Sequence, residues 1–181
     1  MTEPAPTIRD ALVGTIPNLR AFAISLTGDH HLANDLVQET LLKAWSNRDK
    51  FIPGTNLKAW LFTILRNTYF SEIRKKRREV QDVDGEAAAR LVSLPEQHGH
   101  LDLADFRKAL VQLSPDQREA LLLIGAEGFS YEEAAEISGC AVGTVKSRVN
   151  RARTRLAELM GITSVEDIGP DVVPLPMLAG S

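Results

Sequence analysis

The 181-residue chain is poor in several things that narrow what it can do. It has one cysteine, Cys140, so neither an internal disulfide nor a cysteine-based metal cluster can form. In its turn setting Cys140 reads as a packing residue rather than a thiol switch. His30-His31 and the pair His98 and His100 lack cysteine or carboxylate partners at ligand spacing, so no metal is expected. No apolar run approaches the roughly 20 residues that span a bilayer. The start, MTEPAPTIRD, has neither the basic opening nor the apolar centre of a secretion signal. There is no glycine-rich phosphate loop and no nucleophile motif around any serine. Alternation of strand type is missing over any convincing length, and nothing repeats at a fixed period. These absences lead us to expect a cytoplasmic protein away from membranes, without cofactor or enzyme chemistry.

What is present is unevenly distributed. The formal net charge is −3. Residues 1–78 hold 12 Lys and Arg against 7 Asp and Glu, a net of +5. Residues 79–100 hold 1 against 5, a net of −4, and residues 161–181 hold 0 against 3. Residues 101–160 are near balance, 8 against 9, but their basic residues crowd into the last helical stretch. For a polyanionic partner such local fields count for more than the sum.

Residues 7–78 read as a domain that is nearly all helix. Thr7 and Asp10 can cap a short first helix. Pro17 suits the first turn of a second, which runs to about 27 with Leu19, Phe22, Ala23 and Leu26 inward and Gly28 at its end. Asp29 can cap a third helix over 30–46. Its apolar stripe is Ala33, Val37, Thr40, Leu41, Ala44 and Trp45, with Asp35, Gln38, Glu39 and Lys43 on other sides. Pro53-Gly54 marks a turn. A fourth helix over 56–78 carries Leu57, Trp60, Leu61, Ile64, Leu65 and Thr68 and ends in the basic run 74–78. The aromatics Trp60, Phe62, Tyr69 and Phe70 suit a core, and beside basic residues they equally suit stacking of unpaired bases.

Residues 79–100, acidic and interrupted by Gly85, Pro95 and Gly99, read as a flexible linker with a short helix over 86–91. A second domain follows over 101–160. Phe106, Ala109, Leu110 and Leu113 line one helix. Ser114-Pro115-Asp116-Gln117 starts another, with Ala120, Leu121, Leu123 and Ile124 inward and an end near Gly128. The tail over 161–181, with Pro170, Pro174 and Pro176, reads as flexible. Both domains are short for independent cores.

The densest signal closes the second domain. Ser130 to Glu133 forms a capping box for a short helix over 131–138, and Gly139 suits the left-handed position that ends it. After a tight turn, Val142, Val145, Val149, Ala152, Leu156 and Leu159 recur at steps of three and four, one buried stripe. Lys146, Arg148, Arg151, Arg153 and Arg155 cover the rest, with Thr144, Ser147 and Asn150 near the start. Such a face is either solvated or fitted to the major groove of DNA. Helix, glycine turn and second helix together form the helix-turn-helix pattern, with the second helix as reader.

These segments carry a family resemblance. DLVQETLLKAW (35–45), NLKAWLFTILRN (56–67), LSPDQREALLL (113–123) and SYEEAAEISGCAVGTVKSRVNRARTRL (130–156) resemble the second and fourth conserved regions of bacterial extracytoplasmic-function sigma factors. SLTGDHHLANDLVQETLLKAW and FIPGTNLKAWLFTILRNTYFSEIRKKRR are most similar to the EcfG type, the general-stress factors of alphaproteobacteria. The resemblance covers most of residues 10–160 and implies an all-α chain of two small helical domains without an active site.

It implies partners as well: core RNA polymerase, through the clamp helices of its largest subunit and its flap; promoter DNA; and a small anti-sigma protein of NepR type. Asp35, Gln38, Glu39 and Leu42 would dock on polymerase. Asn56, Lys58, Phe62, Thr63, Arg66, Asn67, Arg74 and Lys75 would open and hold the −10 element. Thr144, Lys146, Ser147, Arg148, Asn150, Arg151, Arg153 and Arg155 would read the −35 duplex. Two other readings stand beside this one: a sigma-like mimic that sequesters an anti-sigma protein, and an ordinary helix-turn-helix repressor. Whether the two domains lie splayed or packed together stays open at this level.

Overall fold

A computed structural model describes residues 8–82 and 103–161. Its helices are α1 (Ile8–Thr27), α2 (His30–Ser46), α3 (Leu57–Asp82), α4 (Leu103–Val111), α5 (Pro115–Gly125), α6 (Tyr131–Ser138) and α7 (Val142–Leu159). A 3-10 turn, Arg48–Lys50, follows α2, and no strand occurs among the described residues. The chain is all-α, as expected. The helix expected over 86–91 and the tail beyond 161 lie outside the described residues.

The two short N-terminal helices expected on either side of Pro17 are one. α1 runs through Pro17 without a break. Its buried residues Leu12, Leu19, Phe22, Ala23 and Leu26 keep one stripe on both sides of the proline. Proline removes one donor, leaving the Val13 carbonyl without its usual helical partner. Val13 is exposed, so water can satisfy that carbonyl while the stripe holds the helix together.

α2 begins as expected: the Asp29 carboxylate accepts from the amides of His31 at 2.7 Å and Leu32 at 3.1 Å. These bonds hold the Asp29 carboxyl below its ordinary range. Its buried stripe is Ala33, Leu36, Val37, Thr40 and Ala44. Trp45, expected inside, is 47% exposed, and the Arg48 guanidinium lies 4.9 Å from its ring centre. Leu36 takes the inward place. α3 runs four residues past its expected end, because nothing between Arg78 and Asp82 breaks a helix and Gly85 comes later.

The C-terminal helices follow their caps. Ser114 accepts from the Gln117 amide at 3.3 Å. Ser130 and Glu133 exchange side-chain bonds with each other's amides, at 3.1 and 2.9 Å. Gly139 has φ of 63°, the left-handed geometry that only glycine adopts without strain. The expected stripe of α7 is inward: Val145, Val149, Ala152 and Leu156 are buried, and Val142 and Leu159 pack against them.

The two sets of helices are packed together, which answers the question left open by the sequence. α1 lies against α4 and α5, and α3 lies against α6. The buried residues of both sets form one continuous cluster, from Leu12 to Leu156. Rings join across the boundary: Phe62 of α3 lies 4.8 Å from Phe22 and 5.3 Å from Phe129, which precedes α6. Each fully buried phenylalanine contributes about 1.5–3 kcal/mol. Two sets too small for a core of their own thus share one.

Arg118 ties the sets by another route. Its buried guanidinium donates to the carbonyls of Leu110 at 2.9 Å and Leu113 at 3.0 Å, and also to those of Val111 and Leu26. Leu26 is at the end of α1, and Leu110 and Val111 end α4, where helix carbonyls run short of donors; Leu26 also accepts from the Tyr69 hydroxyl at 3.3 Å and Leu110 from the Leu113 amide at 3.2 Å. Burial lowers the Arg118 pKa, but the group stays cationic in the negative field of two helix ends.

Candidate nucleic-acid interface

α7 presents the basic side expected of a reader. Thr144, Lys146, Asn150, Arg151 and Arg155 are exposed. Lys146 lies over the Tyr131 ring at 5.6 Å, and Arg155 pairs with Glu158 at 2.9 Å. Three of the expected reader residues are drawn partly inward: Ser147, Arg148 and Arg153 are half-buried. Arg148 reaches back to Asp116 of α5 at 3.6 Å and to the Cys140 sulfur at 3.7 Å. It ties α7 to α5 and to the turn before it, and is less available to DNA than Arg151.

The face assigned to the −10 element lies along α3, and most of its N-terminal half is occupied. The Asn56 amide donates to Glu133 at 3.0 Å. The Lys58 ammonium lies 2.9 Å from the Glu127 carboxylate and donates to the Glu127 carbonyl at 3.0 Å. It also sits over the Phe129 ring at 5.0 Å. Arg66 donates to Glu119 at 2.7 Å and stacks on Phe70 at 4.6 Å. Phe62, expected among the strand-binding residues, is fully buried between Phe22 and Phe129. As the chain stands here it is a core residue.

Farther along α3 the face is open. Asn67, Arg74 and Lys75 are exposed, with Arg74 donating to Ser71 at 3.1 Å. Thr63 is half-buried, and its hydroxyl is bonded to the Ala59 carbonyl of its own helix at 2.9 Å.

Electrostatics separate these contacts. Glu119 is fully buried, and burial pushes its carboxyl up against the opposing pull of Arg66. Its second oxygen, Oε2, has no hydrogen bond among the described residues. Glu133 is exposed and is held below the usual carboxylate range by the Ser130 amide and the Asn56 side chain. Sequence reasoning used Glu133 only as a cap and overlooked Glu119, Glu127 and Phe129 altogether. The signal was available: a net of +5 in residues 1–78 faces an excess of carboxylates outside α7 in residues 101–160.

The four α2 residues expected to meet polymerase, Asp35, Gln38, Glu39 and Leu42, are all exposed and line one groove with Lys43, Ser46 and Asn47. Leu42 is 69% exposed, a large apolar group left uncovered by the described residues. Among the described residues no His, Cys, Asp or Glu group could hold a metal, and no helix is long and apolar enough to cross a membrane.

Comparison with known proteins gives this geometry a family. Residues 14–79 match the model of Sigma-70 region 2, and residues 103–156 match that of Sigma-70, region 4. The ECF RNA polymerase sigma factor EcfG of Rhodopseudomonas palustris is 57% identical over 174 residues, covering 96% of each chain. The chain is an ECF sigma factor. ECF sigma factor SigC of Mycobacterium tuberculosis is 36% identical across 74% of this chain and 72% of that one. Among solved structures, the sigma factor RpoE of Bartonella quintana, in complex with the anti-sigma factor NepR, is 59% identical. That match has a TM-score of 0.75 and covers 86% of this chain and 98% of that one. The anti-anti-sigma factor PhyR of the same organism, 19% identical at a TM-score of 0.57, shares the fold alone. In this sigma factor, then, α1 to α3 supply region 2, and α4 to α7 supply region 4.

Proposed function

We propose that this chain binds core RNA polymerase through the exposed face of α2 and directs initiation at general-stress promoters. Region 2, residues 7–78, takes the −10 element along α3. Region 4, residues 101–160, reads the −35 element with α7. Residues 79–100 and 161–181 serve as linker and tail. The chain itself brings no catalytic group; the polymerase makes the transcript, in the cytoplasm.

The observation that carries this reading is the exposed basic side of α7 on an apolar stripe whose central residues, Val145, Val149 and Ala152, are fully buried. A fixed stripe sets the helix axis, and the short polar residues Thr144, in the first turn, and Asn150, midway along, reach base edges while arginines neutralise phosphates. A repressor reading leaves the separate basic helix α3 and the exposed docking face of α2 without a purpose. A mimic that only sequesters a partner has no need of a reader helix.

A small anti-sigma protein of NepR type is the proposed regulator. Support comes from the RpoE relative, which was solved with NepR at 59% identity to this chain. A partner contacting both regions would meet them already side by side.

Run-off transcription with core polymerase tests the function. Added chain should give a promoter-specific transcript, and the NepR-type protein should suppress it. Unchanged transcription with and without the chain would leave only the mimic or the repressor.

A further inference from the structure

Arg148 stands on the reader helix but is turned toward α5 rather than outward. By helix geometry it lies about 60° round α7 from the buried Val145, and Arg151 lies about 120° away on the same flank. Its side chain is only 23% exposed. One terminal nitrogen, Nη2, lies 3.6 Å from the Asp116 carboxylate, and the other, Nη1, donates to the Cys140 sulfur at 3.7 Å. Its charge also reaches the buried Glu119, one turn along α5 from Asp116, and opposes the rise of that carboxyl.

Both anchors of Arg148 are themselves fixed. Asp116 lies in the first turn of α5, which Pro115 starts and Ser114 caps through the Gln117 amide. Cys140 follows Gly139, held in left-handed geometry, and its own amide donates to the Ala135 carbonyl at 3.1 Å. The start of α7 has no cap of this kind: its N-cap is Ala141, without a side-chain bond. Thr144 and Lys146 sit just inside that uncapped end. The Arg148 fork, reaching back to Cys140 and across to Asp116, supplies the hold that the cap does not.

Resting on the −35 assignment above, we infer that Asp116 determines promoter specificity without touching DNA. Through Arg148 it holds α7 at the angle from which Thr144, Lys146, Asn150 and Arg151 meet base edges. Asp116 and Arg148 are both positioning residues. Bonds to base edges ask for one fixed geometry, whereas an exposed arginine follows a phosphate through a range of positions. Losing the brace therefore lowers discrimination between sequences and leaves the general affinity for duplex in place. The pair is partly exposed, so the loss is moderate. Lysine cannot replace arginine here, because only a planar fork reaches both anchors at once.

The test uses holoenzyme assembled from core polymerase and the full chain, wild type or variant. Wild-type holoenzyme first selects promoter duplexes from a randomised pool. One selected duplex and copies of it, each substituted at a single base pair, are the probes, with affinity measured across a salt series. Asp116→Asn and Arg148→Gln should each lower discrimination about threefold at every upstream base pair that the wild type distinguishes. Discrimination at the downstream element, the salt slope and the melting temperature should stay. Asp116→Glu should retain upstream discrimination and Arg148→Lys should not. Asp116→Asn combined with Arg148→Gln should be no worse than either alone, as for two members of one contact. Undiminished upstream discrimination in Asp116→Asn overturns the inference. So does a salt slope reduced by about one in Arg148→Gln, the mark of a phosphate contact, or a loss confined to one base pair, the mark of a base contact. Each of these results leaves the −35 assignment standing. Upstream discrimination that survives Arg151→Ala unchanged removes that assignment itself, and the inference with it.

Discussion

Gly28, which ends α1, faces Val111, which ends α4, with no space for a side chain between them. A Cβ at Gly28 would come within 2.8 Å of Val111 Cγ2, and Gly28 has φ of +71°. Both facts forbid alanine there, one by contact across the regions and one by backbone geometry. Gly28→Ala should lower stability by about 1–2 kcal/mol. Adding Val111→Ala should recover the contact part and leave the backbone part. Thermal unfolding of the single and double variants checks this; a Gly28→Ala chain that melts with the wild type would disprove the close approach.

Arg118→Leu should be among the most harmful single changes. It strips four carbonyls, those of Leu26, Leu110, Val111 and Leu113, of a shared donor in a buried setting. The expected loss is about 2–4 kcal/mol. Arg118→Lys should recover little, because an ammonium lacks the planar fork that reaches several acceptors. Urea denaturation gives both values.

Glu119 should leave a mark on the pH dependence of stability. Its carboxyl is raised by burial, so the folded chain holds the proton more tightly than the unfolded one. Its favourable share is therefore complete below the ordinary value of 4.5 and shrinks as pH rises through the raised value. Arg66 opposes the shift most strongly, Asp116 adds to it and Arg148 opposes it. Glu119→Gln, which cannot ionise, should lack this decline. The difference between wild type and Glu119→Gln, measured by urea unfolding across pH, should move against the wild type as pH rises. A constant difference would mean that the carboxylate is fully compensated.

The α2 face separates docking from folding. Asp35→Arg with Glu39→Arg should weaken core polymerase binding by at least tenfold, through lost complementarity. Stability should change little, since both residues are exposed and the Glu39–Lys43 pair at 2.7 Å lies at the surface. A pull-down with core polymerase, paired with a melting curve, decides the matter; unaltered capture would remove α2 from the docking surface.

On α7 two neighbouring changes should have opposite characters. Arg151→Ala should weaken −35 duplex binding by about 1–3 kcal/mol at an unchanged fold. Val149→Asp puts an unpaired charge at a fully buried position and should unfold region 4. Circular dichroism and duplex binding on the two chains distinguish them; a folded Val149→Asp chain would mean that the helix faces are reversed.

Local rules made much of this legible. The Asp29 cap, the Ser130–Glu133 box, Gly139 and the α7 stripe are short-range devices, each written within a few residues. Pro17 misled because a proline reads as a boundary locally, whereas the stripe from Leu12 to Leu26 decides that the helix continues. Trp45 misled because periodicity cannot tell an inward ring from one held over a guanidinium. Phe62 and Arg66 were legible as candidates but not in their present state. Their partners Phe129 and Glu119 lie more than fifty residues away, and no local spacing records that meeting.

The Arg118 guanidinium also bears on cooperativity. Its bond to Leu26 makes the last turn of α1 depend on a side chain of α5. Moving the regions apart therefore does more than uncover a surface; it removes one of the two side-chain donors, Arg118 and Tyr69, that hold the end of a region 2 helix. Opening thus loosens that turn, and amide exchange near the end of α1 becomes a gauge of how long the two regions stay together.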